Sequence, residues 1–411
     1  MVELYHPDRI DWMYCTNAEQ LDQLKNRHIP YSLAINPQVP DSLEYTAKGR
    51  VMDLNGKKLV APWMQNWKQK NANWGCVNAP EFKKVFFDQS RKLIDLDAYG
   101  LFVDDARFND HAIEWGGCFC DYCMAGFTEY LRSAGIDSLG AAANYKDYLR
   151  GYGIASTVNK NKKIPLWGQF KRFQTKSVVQ FLKSWRSNME QYAKRKVTFL
   201  TNNFGGRWNE IYQMFDVGIA ELPENNVNTI FIQKQVDVAK SLGKRQYFTL
   251  PSDDSQKQIK ALLLTYAAGS GLVIPWDVMV TKKSTDKPER YFGTSSMYNP
   301  VYSLFRAKGY NSKNRYNSTR AKLANNTTIK VESDNGEDKI EVNDFYSLGH
   351  EIIGITSQDN GLIHKVTITP NDKILSSGYN VVFPENVKTS VQDEKIKIEY
   401  RGDAAILSFI R

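Results

Sequence analysis

Histidine is scarce in this chain, with five in 411 residues. His6, His28, His111, His350 and His364 are too few and too scattered for a catalytic metal cluster built on imidazoles. Cysteine is as sparse: Cys15, Cys76, Cys118, Cys120 and Cys123. An odd number, with three packed into six positions, makes a poor disulfide framework. No apolar run approaches the roughly 20 residues that a membrane-spanning helix needs. No Gly-rich phosphate loop follows the first apolar run, which argues against a doubly wound nucleotide-binding sheet. Gly-x-Ser-x-Gly and His-Glu-x-x-His are both missing, so neither a serine-hydrolase elbow nor a zincin helix is expected. Internal repeats and low-complexity segments are absent too. No signal peptide is visible, and Met1-Val2 leads straight into folded-looking sequence. The expectation is either a cytoplasmic chain or an exported one whose signal has been removed.

What is present describes a large folded protein. The chain is 42% hydrophobic and 12% aromatic, with 20 Phe, 22 Tyr and 9 Trp, which excludes disorder. At roughly 100–200 residues per domain the length suggests two or three domains. A barrel of about 250 residues or more with one small domain also fits. The net charge is +9, from 54 Lys+Arg against 45 Asp+Glu. The basic residues are dispersed rather than clustered, so no nucleic-acid face is expected. The excess charge suits a solvated surface, or attraction to an anionic polysaccharide.

The stretch from Gly100 to Phe127 organises the rest. Leu101-Phe102-Val103 is a buried-strand run, and Asp104 and Asp105 follow at once. A buried parallel strand ending in carboxylates is how an α/β barrel presents catalytic groups. Around it, strands are expected at Ile10–Cys15, Ile29–Ile35, Leu59–Trp63, Gly100–Asp105, Val197–Thr201, Val217–Glu221, Gln246–Leu250 and Gly271–Trp276. Helical spacing falls between them, as over Glu81–Leu96, where Phe82, Val85, Phe86 and Leu93 share a face. Eight such alternations predict a (β/α)8 TIM barrel over 1–318, with Gly100–Asp105 as strand four and a Cys-rich insertion at about 106–165. After about Ser318 short alternating runs appear, at 328–332, 365–368, 395–399 and 404–410. These predict a C-terminal antiparallel β-sandwich over 319–411, packed on the barrel.

Cys118-x-Cys120-x-x-Cys123 has the spacing of thiolates that converge on one metal, and structural Zn²⁺ takes four ligands. Cys76, in the loop after the expected third strand, is the natural fourth, with His111 as the alternative. Glycoside hydrolysis needs two carboxyl groups flanking the scissile bond. Asp104 and Asp105 supply one, because alternation aims only one of them at the barrel mouth. Glu221, ending another strand beside apolar Leu222-Pro223, is the expected general acid, and Glu224 is the outside candidate. Arg107 is either a substrate clamp or the ion-pair partner of Asp104 or Asp105. Trp63, Trp67, Trp74 and Trp276, with Asn66, Asn203 and Asp277, suit a carbohydrate cleft.

The run Trp74-Gly75-Cys76-Val77-Asn78-Ala79-Pro80, followed by Cys118-Phe119-Cys120-Asp121-Tyr122-Cys123, resembles the barrel of the glycoside hydrolase family 42 β-galactosidases. The segment from Phe170 to Val179, leading to Thr201-Asn202-Asn203-Phe204-Gly205, looks like that family's next helix and strand. The resemblance covers about residues 60 to 220. It implies a four-cysteine zinc site beside the catalytic loop. That family has Asn-Glu where Asp104-Asp105 stand, and a Glu ending strand seven where this chain has Ser252-Asp253. The chain also resembles uncharacterised glycosyl-hydrolase-like barrels related to α-fucosidases and amylases, which carry an Asp after strand four and the same cysteine spacing. The implied activity is a glycosidase that acts on an oligo- or polysaccharide. The alternatives are a non-catalytic carbohydrate-binding barrel, or a polysaccharide lyase or deacetylase on the same fold. A lyase would use a Tyr or Lys base.

Overall fold

A computed structural model describes residues 7–38, 48–62, 64, 72–136, 139–140, 142–158, 163–252, 254–274, 280–281, 289–290, 329–333, 340–347, 350–357, 363–370, 378–384 and 387–410. By contact the chain forms two compact units. One holds 9–203 and 207–218, and the other holds 1–8, 204–206 and 219–411. The boundary expected at about 318 lies outside the described residues. Among the described residues no helix is long and apolar enough to cross a membrane.

Six strands form one parallel sheet whose order follows the chain. They are β1 (Ile10–Met13), β2 (Tyr31–Ile35), β3 (Gly100–Val103), β4 (Thr198–Asn202), β5 (Val217–Glu221) and β6 (Arg245–Thr249). Each short strand is almost wholly buried, as continuous apolar runs in a parallel sheet require. The main helices between them are α1 (Ala18–Asn26), α2 (Pro80–Asp95), α3 (Phe108–Ala112), α4 (Asp121–Ser133), α5 (Tyr145–Gly151), α6 (Trp167–Ala193), α7 (Thr229–Ser241) and α8 (Ser255–Ala267). Their starts follow local chemistry. Asn17 caps α1 through Gln20 N, Pro80 opens α2, and Asp254 caps α8 through Gln256 N and Lys257 N.

One expected strand is not in the sheet. Of the expected run Leu59–Trp63, residues 59–62 are described and border a local antiparallel arm in which Arg50 bridges Gly75, Met52 bridges Lys58 and Val60 bridges Asn73. The Asp53 carboxylate accepts from the amides of Asn55 and Lys57, so the arm folds back on itself rather than joining β2. The strand that carries Asp104 is therefore third in the sheet, not fourth. Of the expected final strand, Leu272 bridges Phe248 in parallel, while residues 275–279 are outside the described set.

Aromatic packing fixes the elements around β3. Phe82 and Phe86 of α2, Phe108 of α3, and Phe181 and Trp185 of α6 interlock with ring centroids 5.2–6.2 Å apart. Burying each such ring contributes roughly 1.5–3 kcal/mol. Phe119, Phe127, Tyr145 and Phe170 make a second cluster over the cysteine loop. Gly75 touches the first cluster closely, since a Cβ there would lie 1.8 Å from the Phe82 ring. Phe82 is packed against Phe86 of its own helix, Phe108 of α3 and Phe181 of α6, so it has little room to yield. Gly75→Ala should destabilise the protein by about 3 kcal/mol, the upper range for overpacking. A denaturant midpoint equal to wild type would show that the ring yields after all.

In the other unit two antiparallel sheets share one core, as a sandwich requires. One has the order β10 (Ile340–Ser347), β11 (His350–Ser357), β16 (Ala404–Ile410), β13 (Tyr379–Phe383). The other is β14 (Lys388–Gln392), β15 (Lys395–Arg401), β12 (Ile363–Pro370), β9 (Ile329–Ser333). Between β6 and the sandwich, β7 (Val280–Thr281) and β8 (Glu289–Arg290) form a two-stranded pair. Ile353, Val366, Ile398 and Leu407, from both sheets, face one another. Within this unit the sandwich packs on α8. Ala404 and Ile406 join the cluster of Ile259, Leu262 and Leu263, and Lys260 Nζ donates to the Ser357 carbonyl at 2.5 Å.

Candidate functional site

The parallel register sets the candidate site. Ile35 pairs with Val103, and Val103 with Thr201. Tyr14, Asn36 and Asp104 are each the first residue past the carboxyl end of β1, β2 and β3. They stand at one rim and are bonded together. Tyr14 Oη donates to Asp104 Oδ2 at 3.0 Å, and Asn36 Nδ2 donates to Tyr14 Oη at 3.3 Å. The Tyr14 ring is 45% exposed. Desolvation of its hydroxyl, followed by the Asp104 charge, pushes the phenol well above its ordinary value. Tyr14 is therefore a proton donor at neutral pH.

Asp105 turns away. Its φ is 51°, the left-handed region that Asp tolerates better than most side chains. One carboxylate oxygen takes Trp74 Nε1 at 3.0 Å, and the other meets His111 Nδ1 at 2.6 Å. The left-handed turn after β3 thus separates the two acids, Asp104 to the rim and Asp105 toward Trp74 and His111. Arg107 braces neither of them. It pairs with Asp110 at 2.8 Å and with Glu114, in the 3₁₀ turn after α3, at 2.7 Å, so the ion pair with Asp104 or Asp105 is not formed.

The remaining expected residues are dispersed. Asn203 is fully buried, donates to the Arg207 carbonyl at 3.2 Å and fills the space above Gly218. Glu221 is the exposed last residue of β5. Glu224 lies in a 3₁₀ turn, where the Lys257 ammonium at 2.5 Å, then Ser252, hold its carboxyl below the usual range. A carboxylate kept ionised in this way is a poor general acid. Trp63, Asn66, Trp67, Trp276 and Asp277 lie outside the described residues.

Cys76, Cys118, Cys120 and Cys123 converge, fully buried or nearly so, with their four Sγ atoms within 4.8 Å of one another. A tetrahedral centre with metal–sulfur bonds of about 2.3 Å has sulfur–sulfur edges of about 3.8 Å. Three of the sulfur pairs stand slightly closer than that, with Cys76 to Cys123 at 3.4 Å, Cys76 to Cys120 at 3.5 Å and Cys118 to Cys120 at 3.4 Å. Burial pushes the Cys118 and Cys123 thiols up. Four such sulfurs fit a soft cation and have no other evident use. His111 is taken by Asp105, so Cys76 is the fourth member. Amide side chains surround the sulfurs. Asn109 Nδ2 lies 3.4 Å from Cys76 Sγ and 2.9 Å from Gln174 Oε1, and Asn78 Nδ2 lies 3.3 Å from Cys123 Sγ. Asn109 Oδ1 also accepts from Val77 N at 3.0 Å, which fixes its direction. Sequence reasoning missed Tyr14, Asn36, Asn78, Asn109 and Gln174. Gln174 alone left a signal, as a polar residue on the apolar face of Phe170, Phe173, Val178 and Phe181.

No protein-family model matches the chain, so membership of the family 42 β-galactosidases is not supported. No curated protein matches its sequence. Among solved structures it is similar to a debranching enzyme of Nostoc punctiforme, with 8% identity over 99% of this chain and 86% of that one, at a TM-score of 0.44. It is also similar to an alpha-amylase from H. orenii, with 9% identity over 96% and 83%, at 0.41. The glycoside hydrolase domain of PelA from Pseudomonas aeruginosa gives 11% identity over 66% and 88%, at 0.38. Likeness at this level fixes neither a fold nor an activity for this chain.

Proposed function

We propose that the chain hydrolyses glycosidic bonds in an oligo- or polysaccharide, and that its parallel strands belong to a (β/α)8 barrel. The observation that carries this is the rim formed by Tyr14, Asn36 and Asp104 at three successive strand ends. Strand ends on that face are where barrel enzymes place their chemistry. Asp104 is the nucleophile or base. Tyr14 orients its carboxylate through a hydrogen bond to Oδ2. Asp105, with both oxygens engaged, serves as the anchor of the insertion. Glu221 is proposed as the general acid on the strength of its strand-end position.

The lyase alternative needs a phenolate or amine base. Tyr14 is held protonated by its surroundings and Arg107 is occupied by two acids, so neither favours abstraction of a uronate proton. We also propose that the four cysteines bind one structural Zn²⁺. When bound, it would tie the α2 loop to the α4 loop. Asn78 and Asn109 would then donate to thiolates, and Gln174 would hold Asn109 in place.

A screen of the purified protein against glycan panels, read as new reducing ends, tests the activity. Tyr14→Phe removes one hydrogen bond to a charged group and should lower kcat about tenfold with KM little changed. Unchanged kcat would remove Tyr14 from the site.

A further inference from the structure

A second cleft, of about 710 Å³, lies between the arm at 53–60 and the segments 115–116 and 155–158. None of Tyr14, Asn36 or Asp104 lines it. Its aromatic wall is Trp115, 40% exposed. The chain on either side of Trp115 is constrained. Glu114 is tied to Arg107 at 2.7 Å. Gly116 has φ 97°, and a Cβ there would lie 2.8 Å from Val158. An exposed indole on a stiff turn is a ready platform for the apolar face of a ring.

The polar lining has one bias. Lys57 and Lys58 both line the cleft, and neither ammonium has a hydrogen-bond or ion-pair partner among the described residues. Asp53 is the acidic residue of the lining, and one of its oxygens is used by the turn amides of Asn55 and Lys57, each at 2.8 Å. Thr157 is 4% exposed, and its Oγ1 has no partner among the described residues. A buried hydroxyl left unpaired is costly and uncommon.

We propose that this cleft binds an acidic sugar unit of a saccharide chain, a uronate or sulfated ring. The ring face lies on Trp115, and the anionic group meets Lys57 and Lys58. The sugar identity rests on the proposed carbohydrate activity, whereas the anion preference rests on the cleft alone. The site would hold an acidic polymer apart from the Asp104 rim, so that length and charge, not only the cleaved linkage, select the substrate.

The test is calorimetric binding of a galacturonate oligomer to the full chain carrying Asp104→Asn, with a neutral galactose oligomer of equal length as control. The acidic oligomer should bind more tightly than the neutral one, and less tightly as salt rises. Trp115→Ala should weaken binding about tenfold or more, as for a central aromatic anchor. Lys57→Ala with Lys58→Ala should remove most of the salt dependence. All these variants change a cleft wall rather than the core, and circular dichroism checks that they fold. Equal binding of both oligomers, or acidic binding indifferent to Trp115 and the lysine pair, overturns the site. No acidic binding alongside hydrolysis of some glycan overturns the site and leaves the proposed activity intact. Loss of both binding and hydrolysis ends both.

Discussion

Cys120→Ser is expected to release the metal and to destabilise the unit containing β1 to β4 by more than about 4 kcal/mol. The wild-type protein should carry about one zinc per chain. The size of the effect follows from where the cluster sits. Cys76 directly precedes α2, Cys118 and Cys120 precede α4, and Cys123 lies in its first turn. All four are within 4.8 Å, with no disulfide to share the work. Without a cation, four buried sulfurs would be left crowded against one another. The aromatic cluster of Phe119, Phe127 and Phe170 would lose its fixed edge. Metal analysis with thermal unfolding, before and after chelation, measures this directly. A metal-free protein with wild-type stability would mean that the sulfurs are a packed thiol cluster.

Asp104→Asn is expected to lower kcat/KM by about 10³- to 10⁴-fold on whichever glycan the wild type cleaves, or about 4–5 kcal/mol of barrier. The isosteric amide keeps the hydrogen bond from Tyr14 but loses the charge, so the fold should be unaffected. Asp105→Asn should behave differently. It strips the charge opposite His111 and should show mainly as lowered stability, because both its oxygens face into the protein. Glu221→Gln should cost about as much as Asp104→Asn if it is the acid, and little if it is only a solvated strand end. The contrast between the two neighbouring aspartates is the informative part. Equal and severe losses of turnover at both, with stability intact, would place Asp105 in the chemistry as well.

Much of this arrangement is legible in the residues. Val217–Glu221 and Ala404–Ile410 are readable to the residue, one as a continuous apolar run ending in an acid and the other as alternation ending the chain. The four cysteines can be grouped by spacing and by the loop that Cys76 occupies. The Leu59–Trp63 run misleads because its apolarity is that of a strand, while its partners are the chain beside it. Periodicity reports burial and not which neighbour supplies the hydrogen bonds. Tyr14 is invisible for a related reason. Its partner Asp104 is 90 positions away, and an aromatic after a strand carries no mark of its hydroxyl's destination. Asn109 and Gln174 meet across 65 positions and face the same obstacle.

The measurement that bears most directly on the central claim is mass analysis of the products formed from a cleaved glycan by the purified protein and by its Asp104→Asn variant. Hydrolysis predicts that each bond broken adds one water to the summed products, with none formed by the variant. Products whose masses sum to that of the substrate, carrying an unsaturated sugar, would contradict it, as would full turnover by the variant.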